Sequence, residues 1–310
     1  MFSVIFPGQG SQIVSMGKDL YDKYDLVKNI FKEADEALEY PISKIVLEGP
    51  KEELNLTSNT QPAIFLVSYS IFRLVKDEFN ININDAKYFA GHSLGEYTAL
   101  ACAEALNFSD TIRILKKRGD AMQNSVPKGV GGMMAVLGSK IEIIEKIIKD
   151  NRDEYEVYIA NDNSLGQIVV SGKIIDLEKF AKNLKLNNIK NILLPVSAPF
   201  HCILMQKATE IMKNEIKNLK FKNPQNILIS NVTAKEISDI EIIKDLLIKQ
   251  IEKPVRWRES VLFMINNGVN KFIEIGPGKV LSGLIKRIDK NVEIYTINTE
   301  EDIRSIKLND

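Results

Sequence analysis

The chain has 310 residues, 45% of them hydrophobic and 26% charged, enough apolar material for one large domain or two smaller ones. Lys and Arg number 41, as do Asp and Glu, so the formal net charge is zero; nucleic-acid binders carry a basic excess, and nucleic acid is not expected as a partner. No apolar run approaches the roughly 20 residues of a membrane span, and the two cysteines, Cys102 and Cys202, fit reduced thiols in a cytoplasmic protein better than a disulfide framework.

Phe2–Phe6 reads as a buried strand ending in the loop Pro7-Gly8-Gln9-Gly10-Ser11-Gln12, rich in turn residues. The opening has no basic n-region and breaks at once at Pro7-Gly8, so it is not expected to be a signal peptide. Leu20–Glu39 carries helical apolar spacing at Leu26, Ile30, Phe31, Ala34 and Leu38. Thr60-Gln61-Pro62 opens a second helix, with Ile64, Val67, Ile71 and Val75 on one face. Tyr88–Ala90 is a short strand, followed by Gly91-His92-Ser93-Leu94-Gly95 and a buried helix over Leu94–Ala105. Strands alternating with helices predict an α/β fold with a mostly parallel sheet covered on both faces.

The rhythm then changes. Strands are expected over Gly129–Leu137, Tyr155–Ala160, Gln167–Ser171 and Asn191–Val196, with the middle two joined through Asn161–Gly166. Helices are expected over Ile141–Lys149 and Ile174–Leu186. The order βαββαβ is the ferredoxin-like pattern. Residues 129–197 are therefore expected to form a subdomain inserted into a large α/β domain made of 1–128 and 198–310, with a cleft between the two. Beyond Met205, Ile227–Ser230 and Lys271–Ile275 read as strands. Gly276-Pro277-Gly278 reads as a turn before a helix over Val280–Arg287, and the tail from Thr299 is polar.

Gly91-His92-Ser93-Leu94-Gly95 fits G-x-S-x-G between a strand and a helix, the context that pattern requires. A serine in so sharp a turn is held clear of the sheet. The helix behind it offers free N–H groups to an oxyanion. Serine also needs a base, and the chain has two histidines. His92, adjacent to Ser93, is expected to order the loop. His201, in Ser197-Ala198-Pro199-Phe200-His201-Cys202 at the end of the subdomain, is the candidate base. Asp162 and Asp176 lie between serine and histidine, as a triad acid would, but have no evident reason to face His201. A neutral amide or carbonyl orienting the imidazole would leave a dyad. Cys102 reads as core packing. No His/Cys/carboxylate cluster suggests a metal, so none is expected. Gly276-Pro277-Gly278-Lys279 lacks the pattern of a phosphate loop.

Five separated motifs occur in one order: Phe6-Pro7-Gly8-Gln9-Gly10-Ser11-Gln12, Gly91-His92-Ser93-Leu94-Gly95-Glu96, Arg118-Gly119, Phe200-His201 and Gly276-Pro277-Gly278. In this the chain resembles the malonyl-CoA:acyl-carrier-protein transacylases from its first strand to about Arg287. The resemblance implies a hydrolase-like mostly parallel sheet domain with an inserted ferredoxin-like subdomain. It implies Ser93 as nucleophile and His201 as base, with the N–H groups of Gln9 and Leu94 as oxyanion hole. Arg118 is implied as partner of the malonyl carboxylate and Gln250 as the residue orienting the histidine. His92 and Phe200 fall in the pocket. The expected reaction moves malonyl from malonyl-CoA to the phosphopantetheine thiol of acyl carrier protein through a malonyl-serine, in fatty-acid synthesis, with no cofactor beyond the coenzyme A thioester. Lys179, Lys182, Lys185 and Lys190 offer a basic face to an acidic carrier. The competing readings are a serine esterase or thioesterase, an acyltransferase for another acyl-CoA, and a non-catalytic carrier-binding protein.

Overall fold

The computed structural model describes residues 1–196 and 198–308. Its strands are β1 (Phe2–Phe6), β2 (Tyr88–Gly91), β3 (Gly131–Leu137), β4 (Val157–Ser164), β5 (Gln167–Lys173), β6 (Lys190–Leu193), β7 (Ile227–Ile229), β8 (Glu236–Ile237), β9 (Lys271–Ile275) and β10 (Glu293–Ile297). They form two sheets, ordered β10-β9-β1-β2-β7-β8 and β4-β5-β3-β6. The first is parallel apart from the hairpin of β7 with β8. The second is antiparallel throughout, with the strand order of a ferredoxin-like βαββαβ unit.

β1 and β2 sit at the centre of the parallel sheet and are apolar on both sides, as strands covered on both faces must be. On one side Phe6 and Phe89 meet Phe72 of the helix Thr57–Asp77, with ring centroids 5.7–6.2 Å apart. On the other, Ile5, Tyr88 and Phe272 pack with Trp257, Val261 and Met264. In the antiparallel sheet the two-residue period separates two roles. Met134 and Val136 of β3 pack with Ile144, Leu177 and Phe180 of the covering helices, while Met133 and Ala135 face the cleft between the sheets.

The sheets are fastened together along β4. Val255 donates its N–H to the carbonyl of Ala160, and Asp162 donates its N–H to that of Val255, each at 2.9 Å. The Asp162 carboxylate takes a forked ion pair from Arg258, at 2.7–3.1 Å. Asp162 is thereby committed to structure and does not serve His201.

Three sequence expectations are corrected. Leu20–Glu39 is two helices, Lys18–Lys23 and Asp25–Leu38, because Tyr24 adopts an extended conformation between them. The second helix begins at Thr57, not Thr60. Pro62 lies inside it, past the first turn, so its missing N–H forfeits one helical bond. Asn161–Ser164 belongs to β4 rather than to a loop, with bulges that let polar residues continue the strand. The tail forms the helix Glu300–Ser305, closed by a Thr299/Asp302 capping box. Among the described residues no helix is long and apolar enough to cross a membrane.

Glycine is obligatory where β2 turns into the next helix. A Cβ on Gly91 would lie 2.0 Å from the backbone of Gly95, and one on Gly95 would lie 2.3 Å from the carbonyl oxygen of Phe6. Backbone cannot yield as a side chain can. Gly91→Ala is expected to lose about 4 kcal/mol of stability, or to fail to fold, in urea titration. A loss under about 1 kcal/mol would show that the turn relaxes freely.

Candidate active site

Ser93 occupies the turn between β2 and the helix Leu94–Cys102, with φ 55° and ψ −107°, a conformation costly for a residue with a Cβ. Three side-chain contacts hold it there. Its N–H donates to Oδ1 of Asn231 at 2.7 Å, and Nδ2 of the same asparagine donates to the carbonyl of Gly91 at 2.7 Å. The Ser93 carbonyl accepts from Nε2 of Gln250 at 3.0 Å. The peptide groups either side of Ser93 are thus fixed by side chains from distant parts of the chain.

The hydroxyl meets two partners. Nε2 of His201 lies 2.9 Å from Oγ, and a guanidinium nitrogen of Arg118 donates to Oγ at 3.1 Å. The tautomer of His201 follows from its other nitrogen. Nδ1 is 2.7 Å from the main-chain carbonyl of Gln250, which can only accept, so Nδ1 carries the proton and Nε2 is free to take one from serine. Gln250 therefore orients the imidazole through its main-chain carbonyl. Burial, and then the nearby charge of Arg118, lower the His201 pKa to about 3.

Arg118 is 1% exposed. It reaches the site from the helix Phe108–Gln123, where Ile114, Leu115, Arg118 and Met122 share the buried face at helical spacing. Gly119 lets that helix approach, since a Cβ there would lie 2.5 Å from the carbonyl oxygen of Thr57. The guanidinium donates to Oε1 of Gln61 at 2.7 Å and to Oε1 of Gln250 at 2.8 Å. Its Nε has no partner among the described residues, and burial lowers its pKa.

Gln9 is brought beside Ser93 by close backbone approach. A Cβ on Gly8 would lie 2.6 Å from the carbonyl oxygen of His92. The Gln9 side chain is held by Thr57 at 3.4 Å. Leu94 opens its helix, so its N–H has no partner one turn back. Among the described residues neither that N–H nor the N–H of Gln9 has an acceptor. His92 points away from His201: its Nε2 lies 2.8 Å from Oδ1 of Asn163 on β4, and its ring packs beside Trp257. It ties the serine turn to the antiparallel sheet, consistent with ordering the loop. Phe200 is buried and lines the cleft of about 570 Å³ over Ser93. Ser197 of the same segment lies outside the described residues.

Asn231, Glu96, Gln61, Asn161 and Asn163 belong to this site and were not found from sequence. Only Glu96 stood in a motif. Asn161 and Asn163 sit in a polar run that reads as loop, and both line the cleft. Cys102 and Cys202 are buried, and burial pushes both thiols up, so neither is a ready nucleophile. The helix after Gly276-Pro277-Gly278 has its first N–H groups taken by Glu274, at 3.0 Å to Leu281 and 2.7 Å to Ser282, which leaves no phosphate site there.

Such an arrangement serves acyl transfer through serine: the hydroxyl can be deprotonated where it sits, and an oxyanion meets N–H groups that are already unpaired. Comparison with known proteins narrows the class. The family described as acyl transferase domain matches residues 3–300. A malonyl CoA-acyl carrier protein transacylase of Bacillus subtilis is 41% identical over 301 residues, 96% of this chain and 94% of that protein. The crystal structure of an acyl-carrier-protein-S-malonyltransferase from Bartonella henselae superposes with a TM-score of 0.95 at 42% identity, covering 98% of this chain and 97% of that one. A malonyl-transacylase solved in complex with its type II PKS acyl-carrier protein superposes at 0.94, with 37% identity and 98% of both chains covered. The chain belongs to the malonyl CoA-acyl carrier protein transacylases, within the acyl transferase domain family.

Because the free-enzyme pKa of His201 is depressed, Nε2 stays unprotonated well below the usual histidine range. The kcat/KM profile for serine acylation is expected to show no acid limb between pH 5.5 and 7.5. A limb centred near 6.5, read by stopped-flow over that range, would mean an ordinary solvated histidine instead.

Proposed function

We propose that the chain transfers a malonyl group from malonyl-CoA to the phosphopantetheine thiol of acyl carrier protein, through a malonyl ester on Ser93. The observation that carries this reading is the buried guanidinium of Arg118 beside the nucleophile, with one nitrogen lacking a partner. A neutral acetyl group would leave that buried cation without an anion, whereas the malonyl carboxylate matches its planar fork. In the first half-reaction His201 takes the proton of Ser93 Oγ as Oγ bonds to the thioester carbon. The oxyanion is received by the N–H groups of Gln9 and Leu94. The C–S bond then breaks, and the proton passes to the departing CoA sulfur. In the second half-reaction the carrier thiol gives its proton to His201, attacks the ester and restores Ser93. No cofactor is needed for this balance beyond the CoA of the substrate. Phe200 narrows the cleft where an α-methyl branch would enter.

The carrier as partner is supported by the relatives' names and by the related transacylase solved with its carrier. We place the reaction in the cytoplasm and in fatty-acid synthesis, where malonyl carrier thioesters are consumed. Lys182, Lys185 and Lys190 are exposed along a shallow groove beside β6 and suit an acidic carrier.

Incubation with malonyl-CoA alone is expected to add one malonyl group by intact mass. The adduct should be absent in Ser93→Ala and discharged by carrier protein. Free malonate without an adduct would favour the hydrolase. Arg118→Ala is expected to slow malonyl acylation roughly 100-fold, the loss of about 3 kcal/mol of charge-assisted bonding, and to narrow the preference over acetyl-CoA. The paired change Lys182→Glu and Lys185→Glu should weaken discharge to the carrier while sparing acylation. Equal loss in both half-reactions would remove the docking role.

A further inference from the structure

Arg118 is a buried cation without a carboxylate in direct contact among the described ion pairs. Its guanidinium donates to Oε1 of Gln250 at 2.8 Å. The other end of that amide, Nε2, donates to Oε2 of Glu96 at 2.7 Å. Glu96 is only 2% exposed and lies in the first turn of the helix Leu94–Cys102. A glutamate that merely complements a helix dipole needs no burial, so the position of this one requires another reason.

The order guanidinium, amide, carboxylate has one polarity. With the oxygen of Gln250 toward the cation and its nitrogen toward the anion, every contact is favourable. A flipped amide would set donor against donor at Arg118 and acceptor against acceptor at Glu96. A direct ion pair would occupy the fork that a substrate needs. With no anion at all, a full charge would be buried uncompensated. The relayed arrangement lies between these limits. The same carboxylate oxygen also accepts the N–H of Asn231 at 3.1 Å, the residue that fixes the peptide of Ser93.

We infer that Glu96 is a positioning residue for substrate selection: acting through the side chain of Gln250, it partly offsets the charge of Arg118 while leaving the guanidinium open to a carboxylate. This rests on the reading of Arg118 as partner of the malonyl group. Besides Arg118, the titratable group that feels Glu96 among the described residues is Tyr97 on its own helix. Burial pushes the Glu96 carboxyl up to about 7, against Gln250, the Asn231 N–H and Arg118, so measurements at pH 8 keep it ionised.

The test has two arms. In a Ser93→Ala background at pH 8, Glu96→Gln keeps an accepting oxygen and removes the charge. Malonyl-CoA is expected to bind roughly fivefold more tightly, because Arg118 is no longer offset, while acetyl-CoA shifts less than about twofold. Unchanged or weaker malonyl binding, or an equal shift for both thioesters, would overturn the inference. The second arm is a thermal double-mutant cycle of Glu96→Gln with Arg118→Met. Glu96→Gln is expected to lower Tm by about 5 °C with Arg118 present and by clearly less with Arg118→Met. Equal losses would overturn the coupling. If Glu96→Gln alone does not fold, recovery in the double variant supports the coupling and failure to recover refutes it. The cycle needs no substrate, so it stands or falls separately from the malonyl adduct on the wild-type chain.

Discussion

Everything at this site depends on keeping one strained peptide in place. A positive φ at Ser93 is unfavourable by itself, and it persists because both of its peptide groups have partners elsewhere. Asn231 follows β7 and Gln250 ends the helix Ile240–Gln250. The turn is therefore not a local property of five residues. It is held by side chains that β7 and the helix Ile240–Gln250 carry to it. The glycines permit the turn, and the distant amides make it the stable alternative.

Gln250 joins the parts of the site to one another. Its main-chain carbonyl sets the tautomer of His201, and its side chain contacts Ser93, Glu96 and Arg118. Fully buried, it cannot change one of these contacts without disturbing the others. The electrostatics follow from the same burial. Burial first, and Arg118 second, lower the affinity of His201 for a proton, so the imidazole rests unprotonated. The same cation, 3.1 Å from Oγ, favours negative charge on that oxygen. One buried guanidinium therefore acts on both members of the pair, and its Nε still has no partner among the described residues.

The fold was largely legible because it is written in period. β1 and β2 are short apolar runs bounded by turn residues, and strands alternate with helices in the order βαββαβ between them and the later strands. What escaped was structure whose side chains are polar. Asn161-Asp162-Asn163-Ser164 has the composition of a loop, yet it continues β4 because Val255 and Arg258 supply partners from another element. Ser93 and His201 could be named from motif and scarcity. Arg118 could not be read from its own neighbourhood: Lys116-Lys117-Arg118 looks solvated until Ile114, Leu115 and Met122 place the third residue on the buried face. Asn231 carries no local signal, since its role depends entirely on where β7 ends. The backbone contact of Gln250 with His201 is of the same kind, because main-chain geometry leaves no mark in side-chain identity.

A neutral carbonyl behind His201, where many serine enzymes place a carboxylate, bears on why such a site would transfer rather than hydrolyse. A carboxylate stabilises the imidazolium formed as the proton arrives; a carbonyl does so less, and Arg118 nearby opposes it. The result is a weak base. A weak base is adequate for a thiol, whose ordinary pKa is about 8.5, and for Ser93, whose Oγ has Arg118 3.1 Å away to favour negative charge, but it is poor for free water, at 15.7. The acyl ester on serine would then react with a carrier thiol that reaches the cleft and would persist in the presence of solvent. Chemoselectivity of this kind follows from what stands behind the histidine and beside the serine.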